Sequence, residues 1–507
     1  MRKQFLLYTL LIMLPALSVA QNYYNFTGLN DKGLIGTARF VGMGGSMGAL
    51  GGDISVMGVN PAGIALYRSS DCAFTVSTDI KNSISVYNKT QTSCDYSNCQ
   101  LDNFGFVFAN EFDMSDIEFL NIGVSYRSNN HFGRNFDMYG AAGGFSQQYI
   151  IDGLYRNNPF DTDNVTYSMY ENLNYNWLTL LASDGGLVDE TGNLITNASG
   201  SLVYPPTHLG YYSEERGRVD VFDVNLSTNI KDRLYLGATL SISSLDYSRY
   251  SCYYEDDEIG EIYSIINNLK MSGTGLDLKL GAIIRPFKYL PLKLGVAFHT
   301  PTWYRLLDSS NAAIVGVDRY EYDTRDEERY YDNLNVKYGY KTPWRVNASV
   351  AYTFGSYLAV NAEYEFTDSR TAAYTDRTAI ARSQNPDIDK AMRQQHTVRI
   401  GAELNFNKFA IRAGYCFSTA MFNSNTYKNI DNMSITDTST EFLNLYDKNN
   451  VTFGCGYRFK KMYIDLAYML QMQSGEFYPF YDTECINPIA DVTFVDQTVA
   501  LTIGMRF

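Results

Sequence analysis

Histidine and tryptophan are scarce in this chain, with four and three copies in 507 residues. His131, His208, His299 and His396 lie far apart and share no ligand spacing, so no metal site is marked; ligands gathered from separate loops keep haem binding open as an alternative. Seven cysteines occur without a CxxC pair, which excludes the usual zinc framework. No continuous apolar run follows the first twenty residues, so the remainder holds no membrane-spanning helix of about 20 residues. A formal charge of -14, or -16 without Arg2 and Lys3, offers no basic face for phosphates and excludes nucleic acid as a partner. No Ser/His/acid set of the catalytic kind is recognisable, so neither catalysis nor a cofactor is expected.

What the chain does have is tyrosine and phenylalanine, 42 and 29 of them, residues that suit strands and membrane interfaces. Arg2 and Lys3, the apolar run from Phe5 to Leu14, and Ser18-Val19-Ala20 read as a secretory signal peptide over residues 1–20, with an uncleaved anchor as the alternative. No cysteine follows the cleavage site, which leaves out a lipoprotein anchor. In an oxidising envelope Cys94 and Cys99, in one polar segment, are candidates for a small disulfide, with free thiols as the alternative; Cys252 and Cys485 form a weaker candidate pair.

From Cys72 onward, runs of about ten residues alternate apolar and polar, the period of a strand. Val499, Leu501, Ile503, Met505 and Phe507 share one face, and Thr498, Ala500, Thr502, Gly504 and Arg506 the other. Charges keep to one face elsewhere too: Glu363 and Glu365, Arg399 and Glu403, Arg412, and Asp465 each oppose an apolar row. An Arg or Lys facing lipid at the midplane would cost about 2 to 4 kcal/mol, so a membrane barrel requires this segregation. A soluble sandwich alternates as well, and the connections separate the two. Strands are predicted over 72–87, 102–111, 118–132, 218–230, 233–249, 271–286, 291–302, 334–354, 358–370, 394–406, 408–418, 449–459, 461–472 and 496–507. That makes fourteen, with twelve or sixteen as alternatives; Thr342-Pro343 reads as a bulge or bend. Short turns at Lys231-Asp232, 355–357, Asn407 and Lys460 alternate with long polar loops at 133–217, 371–393 and 419–448. This is the pattern of an all-β transmembrane barrel with periplasmic turns and extracellular loops. The expected domains are therefore residues 1–20 as signal peptide, 21–70 as a Gly-rich segment able to fill the lumen, and 71–507 as barrel.

The run Gly42-Met43-Gly44-Gly45-Ser46-Met47-Gly48 does not make a dinucleotide fingerprint, because Met47 stands where glycine is required and no strand-helix-strand unit surrounds it. Within Gly36 to Asp53, followed by Asn60-Pro61-Ala62-Gly63-Ile64-Ala65, it resembles the N-terminal hatch of the long-chain fatty acid outer-membrane transporter family (FadL/TodX-like). Leu294 to Phe298 before Thr300-Pro301-Thr302, Arg399 to Leu404, Ile411 to Tyr415 and Asp465 to Tyr468 extend the resemblance along nearly the whole chain after residue 20. The long loop at 133–217 departs from it, so the family's external binding groove does not transfer.

The resemblance implies a monomeric fourteen-stranded barrel in a Gram-negative outer membrane, plugged by its hatch. It also implies passive uptake of hydrophobic molecules such as fatty acids, and their lateral release to outer-membrane lipid at a kinked third strand. Gly42, Gly44, Gly45, Asn60, Pro61, Ala62 and Gly63 become hatch or gating candidates, with Asn60 bonding the wall or strand-three backbone; a plain Asn-Pro turn is the alternative. Gly123 or Gly133 would mark the kink, unless they are lumen-facing glycines making room for the hatch. Arg399 and Arg412 are candidates for a substrate carboxylate, with Arg458 and Arg506 facing the lumen beside them. Pairing with Glu363, Glu365, Glu403 and Asp465 in the wall is the structural alternative. A surface-binding or adhesion barrel acting through its large loops is the other functional reading.

Overall fold

Side chains of a strand alternate between two environments, and in this chain the apolar set is on the outside. A computed structural model describes residues 27–114, 116–162, 165–170, 175–187, 202, 205–316, 329–376, 385, 386, 388–424, 426, 438–480 and 487–507. Leu236, Leu240 and Ile242 project outward, while Thr239, Ser241 and Ser243 are buried within the ring. A soluble sandwich would invert this arrangement. No described helix is long and apolar enough to cross a membrane.

Fourteen antiparallel staves close the ring: β1 (Asp71–Tyr87), β2 (Thr90–Met114), β3 (Ile117–His131, resuming as Arg134–Ala141), β4 (His208–Ile230), β5 (Leu234–Asp256), β6 (Glu261–Ile284) and β7 (Leu292–His299, resuming as Trp303–Gly316). They continue with β8 (Arg329–Lys341, resuming as Arg345–Phe354), β9 (Leu358–Asp368, with Ala373–Tyr374), β10 (Gln394–Phe406), β11 (Phe409–Ser418), β12 (Phe442–Arg458), β13 (Met462–Tyr478) and β14 (Ala490–Arg506). Closure comes from β1 against β14, with Asp71 opposite Arg506 and Val86 opposite Asp491. The breaks in β7 and β8 sit side by side at Pro301 and Pro343. Neither proline donates a ladder bond, and Thr302 and Thr342 bond to each other in their place. Thr342-Pro343 is thus a bend, one of the two readings the sequence allowed.

All fourteen predicted strands are present, but several run well past their predicted ends. The stretch 88–101, expected as a connection, is a tight Asn88-Lys89 turn with φ of 44° and 72° followed by β2. Such a turn matches the strand twist. Consequently Cys94 and Cys99 stand five residues apart along one strand, opposite Ser83 and Thr78 of β1. They are about 16 Å apart at ~3.3 Å per residue, beyond the reach of a disulfide, and both are free thiols. Cys252 is also free; Cys485 lies outside the described residues.

The expected loop at 133–217 is strand at both ends. Between them α3 (Gln148–Asn157), α4 (Tyr167–Tyr170) and α5 (Trp177–Asp184) cover the mouth; α1 (Thr27–Asn30) and α2 (Ala38–Gly42) precede the barrel. Trp177, Leu178, Leu180 and Leu181 pack with Tyr253, Tyr263, Ile314 and Phe480 from the strand tips and the loop beyond β13 in one apolar cluster. Under this cap Glu255 is fully buried and accepts hydrogen bonds from Ser146, the Gln147 amide, Gln148 and Tyr253.

Candidate functional site

Residues 27–67 lie inside the ring, because the buried ones among them bond to side chains and backbone on the inner face of the staves. Thr37 caps α2 through the Phe40 amide and donates to Asp53, which caps the following 3-10 turn Ile54–Gly58. The Ala38 amide donates to Thr502 of β14 at 2.7 Å, Ser46 to the Asn361 carbonyl of β9 at 2.9 Å, and the Gly48 amide to Glu363 at 2.9 Å. Gly44 has φ +63°, and a Cβ there would meet the Tyr415 amide nitrogen at 2.8 Å; opposite it, a Cβ on Gly414 of β11 would collide with backbone of Met43 and Gly44. Glycine is required on both sides of this contact. Gly42 rests its α-carbon against Gly454 of β12, and Gly45 packs on Leu34 within the segment.

Asn60 is fully buried and heads the turn Pro61–Leu66, accepting from the Ala62 amide at 3.2 Å. Its Nδ2 donates to the Gly48 carbonyl at 2.8 Å and to the Ala282 carbonyl of β6 at 3.5 Å. The wall partner is therefore β6, not strand-three backbone. Pro61 rests on Gly237 of β5, and its carbonyl accepts from Asn225 of β4 at 3.3 Å. Ala62 belongs to a small cluster with Tyr235 and Ile283, and the Gly63 carbonyl receives the Gly52 amide at 3.1 Å. From β3, Asn121 donates to the Ile64 and Tyr67 carbonyls, both at 2.9 Å.

Charge joins the segment to the opposite wall. Arg39 meets Glu403 at 2.7 Å, and Glu403 also receives Arg412 at 2.7 Å, which reaches Asp465 at 2.6 Å. Burial works against the Arg39 charge, but the Glu403 carboxylate outweighs it and the Arg39 pKa is raised. Arg399 is held by Glu363 at 2.8 Å and Glu365 at 3.3 Å. Both arginines expected to await a substrate carboxylate are thus committed to acidic wall residues, the structural alternative noted above; a buried guanidinium released from such partners would carry a large desolvation cost. Arg458 and Arg506 lie nearly half-exposed at the rim, 3.9 Å from Glu403 and 3.5 Å from Asp71. Within the segment, burial and the neighbouring Arg345 hold the Lys32 ammonium well below its usual range. His299 bonds the Val59 carbonyl at 2.8 Å.

Strand three is where the wall parts. β2 and β3 are paired from Met114↔Ile117 up to Asn103↔Arg127 and no further, whereas β2 stays paired with β1 up to Thr90. Above Arg127, β3 bulges between Ser128 and Asn130 on β4, breaks at Phe132-Gly133, and resumes paired with β4 alone. Its resumed half bends inward: the Asp137 carbonyl accepts from Ser85 of β1 and Thr92 of β2, both at 2.7 Å, and Phe136 packs on Phe477 and Phe494 of β13 and β14. Gly133 lies at this break, against Tyr96. Gly123 does not; it is mid-strand in unbroken register and faces Met57 of the internal segment, the lumen-facing alternative.

The parting leaves an opening of about 380 Å³ lined by Tyr96, Gln100, His131, Gly133, Arg218 and Asp246. A second cavity of about 200 Å³ lies in the lumen over the internal segment, between Leu34, Ile35 and Val41 below and Met421, Phe422 and Leu445 at the side. Asp79, Lys81 and His131 line both, so the two adjoin. Sequence reasoning missed Asp79 and Lys81, and met His131 only as one of four scattered histidines. On strands that alternate, an inward polar residue is expected everywhere, and nothing local marks which ones face a void.

Fold and lumen together define the class: a closed fourteen-stranded barrel, internally plugged and capped, with a parted wall at strand three. No protein-family model matches the sequence, and no curated protein does. Among solved structures the chain is similar to a Pseudomonas aeruginosa FadL homologue, at 12% identity and a TM-score of 0.56 over 94% of this chain and 99% of that one. It is also similar to TodX, the toluene transporter of Pseudomonas putida, at 11% identity and a TM-score of 0.50 over 94% and 100%. A deltaS2 mutant of the TodX monoaromatic hydrocarbon channel aligns at 13% identity and 0.52 over 93% and 99%. At such identities the likeness is one of fold.

Proposed function

We propose that this chain is an outer-membrane channel for passive uptake of hydrophobic compounds, working as a monomer in a Gram-negative envelope. The observation that carries the reading is the lumen cavity adjoining the opening left where β2 and β3 stop pairing above Arg127. The TodX and FadL-homologue structures, similar in fold, support it by analogy, since the first is described as a toluene transporter. Residues 27–70 act as a hatch. Asn60, Pro61 and Ala62 anchor it against β4, β5 and β6, Gly42 and Gly44 allow close approach to β11 and β12, and Arg39 ties it to Glu403. A rearrangement near Leu34 and Ile35 extends the cavity, and the passenger leaves sideways past His131. A polar pore offers an apolar solute no favourable site, whereas a pocket with a side exit does.

The test is uptake of radiolabelled toluene and a panel of labelled apolar and amphiphilic compounds by cells with and without the gene. Faster entry of at least one compound is expected. Equal rates for every compound would refute the proposal.

A further inference from the structure

The outer face of the barrel, in the half nearer the cap, carries arginine and lysine in two ways. Arg216, Arg218, Arg370 and Arg393 each hold a carboxylate, Glu214 at 3.0 Å, Asp220 at 2.8 Å, Asp368 at 2.8 Å and Asp447 at 3.5 Å. On β6 to β8 the cations stand without such partners. Arg305 of β7 lies opposite Thr274 of β6 and Gly339 of β8. Lys337 and Lys341, two residues to either side of Gly339, are therefore its diagonal neighbours at about 7 to 8 Å, a separation that long side chains span. Lys270 stands further up β6, opposite Ser309. Arg305, Lys337 and Lys270 are exposed and Lys341 is partly so; none of the four has an ion pair or a side-chain hydrogen bond among the described residues.

Two carboxylates come near this group. Asp376 is occupied by the Gly339 amide at 2.6 Å, and Asp246 of β5 lies between Ser272 and Arg218 on the neighbouring staves. Cations gathered without carboxylate partners repel one another, and on a chain of formal charge -14 they mark a place for an anion.

The position of the group narrows the anion. Leu276 and Trp303, opposite each other on β6 and β7, are the last large apolar residues exposed on those staves. Arg305 is the next outward residue after Trp303, and Lys341 is opposite Trp303 itself. Leu307, opposite Lys337, is only partly exposed. Trp344, at the bend of β8, stacks with Phe298 on the same outer face. Two of the three tryptophans of the chain thus flank the cations, and indole rings settle at the level of lipid headgroups. The cations begin where the apolar band ends, so the anion that fits them is one whose own chains lie in the bilayer.

We propose that Arg305, Lys337 and Lys341, with Lys270 above them, bind the phosphorylated headgroup of lipid A in the outer leaflet. The guanidinium takes a phosphate in forked hydrogen bonds, the lysines add charge, and Trp303 and Leu276 lie against the acyl chains. This rests on the outer-membrane reading above and adds to it a lipid that is bound at the wall and not transported.

The experiment titrates the full protein in detergent micelles with lipid A, with the same lipid stripped of its phosphates, with phosphatidylglycerol and with inorganic phosphate, and reads bound lipid by native mass spectrometry. Lipid A is expected to bind at least about tenfold more tightly than its dephosphorylated form, since each cation beside an anionic headgroup contributes about fivefold. The variant Arg305→Gln, Lys337→Gln, Lys341→Gln is expected to lose that preference, and its toluene uptake to match the parent. Should the triple variant fail to fold, Arg305→Gln alone serves, with lipid A weakened about fivefold. Equal binding of the dephosphorylated lipid, phosphatidylglycerol held as tightly as lipid A, displacement of lipid A by an equal concentration of inorganic phosphate, or a folded variant that binds lipid A as the parent does, overturns the site. Toluene uptake by the parent then leaves the channel standing, whereas a parent that retains lipid A but gives no uptake of any compound overturns the channel and leaves the lipid site.

Discussion

Glu403 serves two arginines, and this makes the docking of the internal segment separable from the stability of the wall. Removing Arg39 by Arg39→Met breaks its pair with Glu403 and its bond to the Gly52 carbonyl at 2.8 Å, but Glu403 keeps Arg412 at 2.7 Å. No buried charge is orphaned, so the loss is that of hydrogen bonds to a charged group, about 1.5 to 3 kcal/mol. It falls on the segment alone. Arg412→Met is different in kind: Arg412 is fully buried and is the cation held against Asp465 at 2.6 Å, so a carboxylate is left buried without its partner. Breaking a buried pair in this way costs about 3 to 5 kcal/mol, and the cost falls on β11 and β13. Two assays separate the effects. Limited proteolysis of residues 27–70 reports docking, and urea unfolding followed by heat-modifiable gel mobility reports the barrel. Arg39→Met is expected to expose the segment to protease while barely moving the barrel midpoint; Arg412→Met is expected to lower the midpoint. Equal midpoint losses in the two variants, or full protease protection in Arg39→Met, would refute the reasoning.

Gly414→Ala places a methyl group on the backbone of Met43 and Gly44. An overpacking cost of about 1 to 3 kcal/mol is expected, together with faster permeation of small hydrophilic solutes in liposome swelling as the segment shifts. Asn60→Ala removes the bonds to the Gly48 and Ala282 carbonyls and is expected to destabilise the segment by about 1 to 3 kcal/mol, read as increased amide hydrogen exchange over 48–66. Leu240→Arg puts a charge on the apolar outer face of β5 and is expected to cost about 2 to 4 kcal/mol in folding from urea into bilayers. Glu255→Ala removes the acceptor shared by Ser146, the Gln147 amide and Tyr253 under the cap, and protease cleavage between α3 and α5 is expected to accelerate.

The strands that cross lipid were legible because lipid enforces alternation. Val499 to Phe507 reads clearly, since each outward position must be apolar and each inward one polar. Ser93, Asp95, Ser97 and Cys99 project outward from the upper half of β2 and are exposed or polar, so both faces there are polar and the period vanishes although the ladder continues. His208 to Gly217 on β4 reads as loop for another reason: Leu209 and Tyr211 are buried in the apolar cluster under the cap, while His208, Tyr212 and Glu214 on the other face are polar and only partly buried, so no apolar outer face marks a lipid-facing strand. The glycines and Asn60 stood out because several unusual residues fall close together in sequence. The cavity beside the opening had no such signal: Asp79, His131, Arg134 and Asp496 come from β1, β3 and β14 and converge only after the ring is closed.

That closing seam also constrains how the molecule is made. The Phe507 amide donates to the Ser70 carbonyl at 3.0 Å, so the residue that leaves the lumen and the residue that follows the last stave are neighbours. Pairs such as Asp71 with Arg506 join the most distant parts of the sequence, and contacts of that kind form late because of their loop-closure entropy. With the mouth covered by α3 to α5, the internal segment is expected to be in place before β14 finds β1. Assembly in this order makes the plug the template around which the last stave is registered, and a chain that lost its plug would be expected to reach closure more slowly.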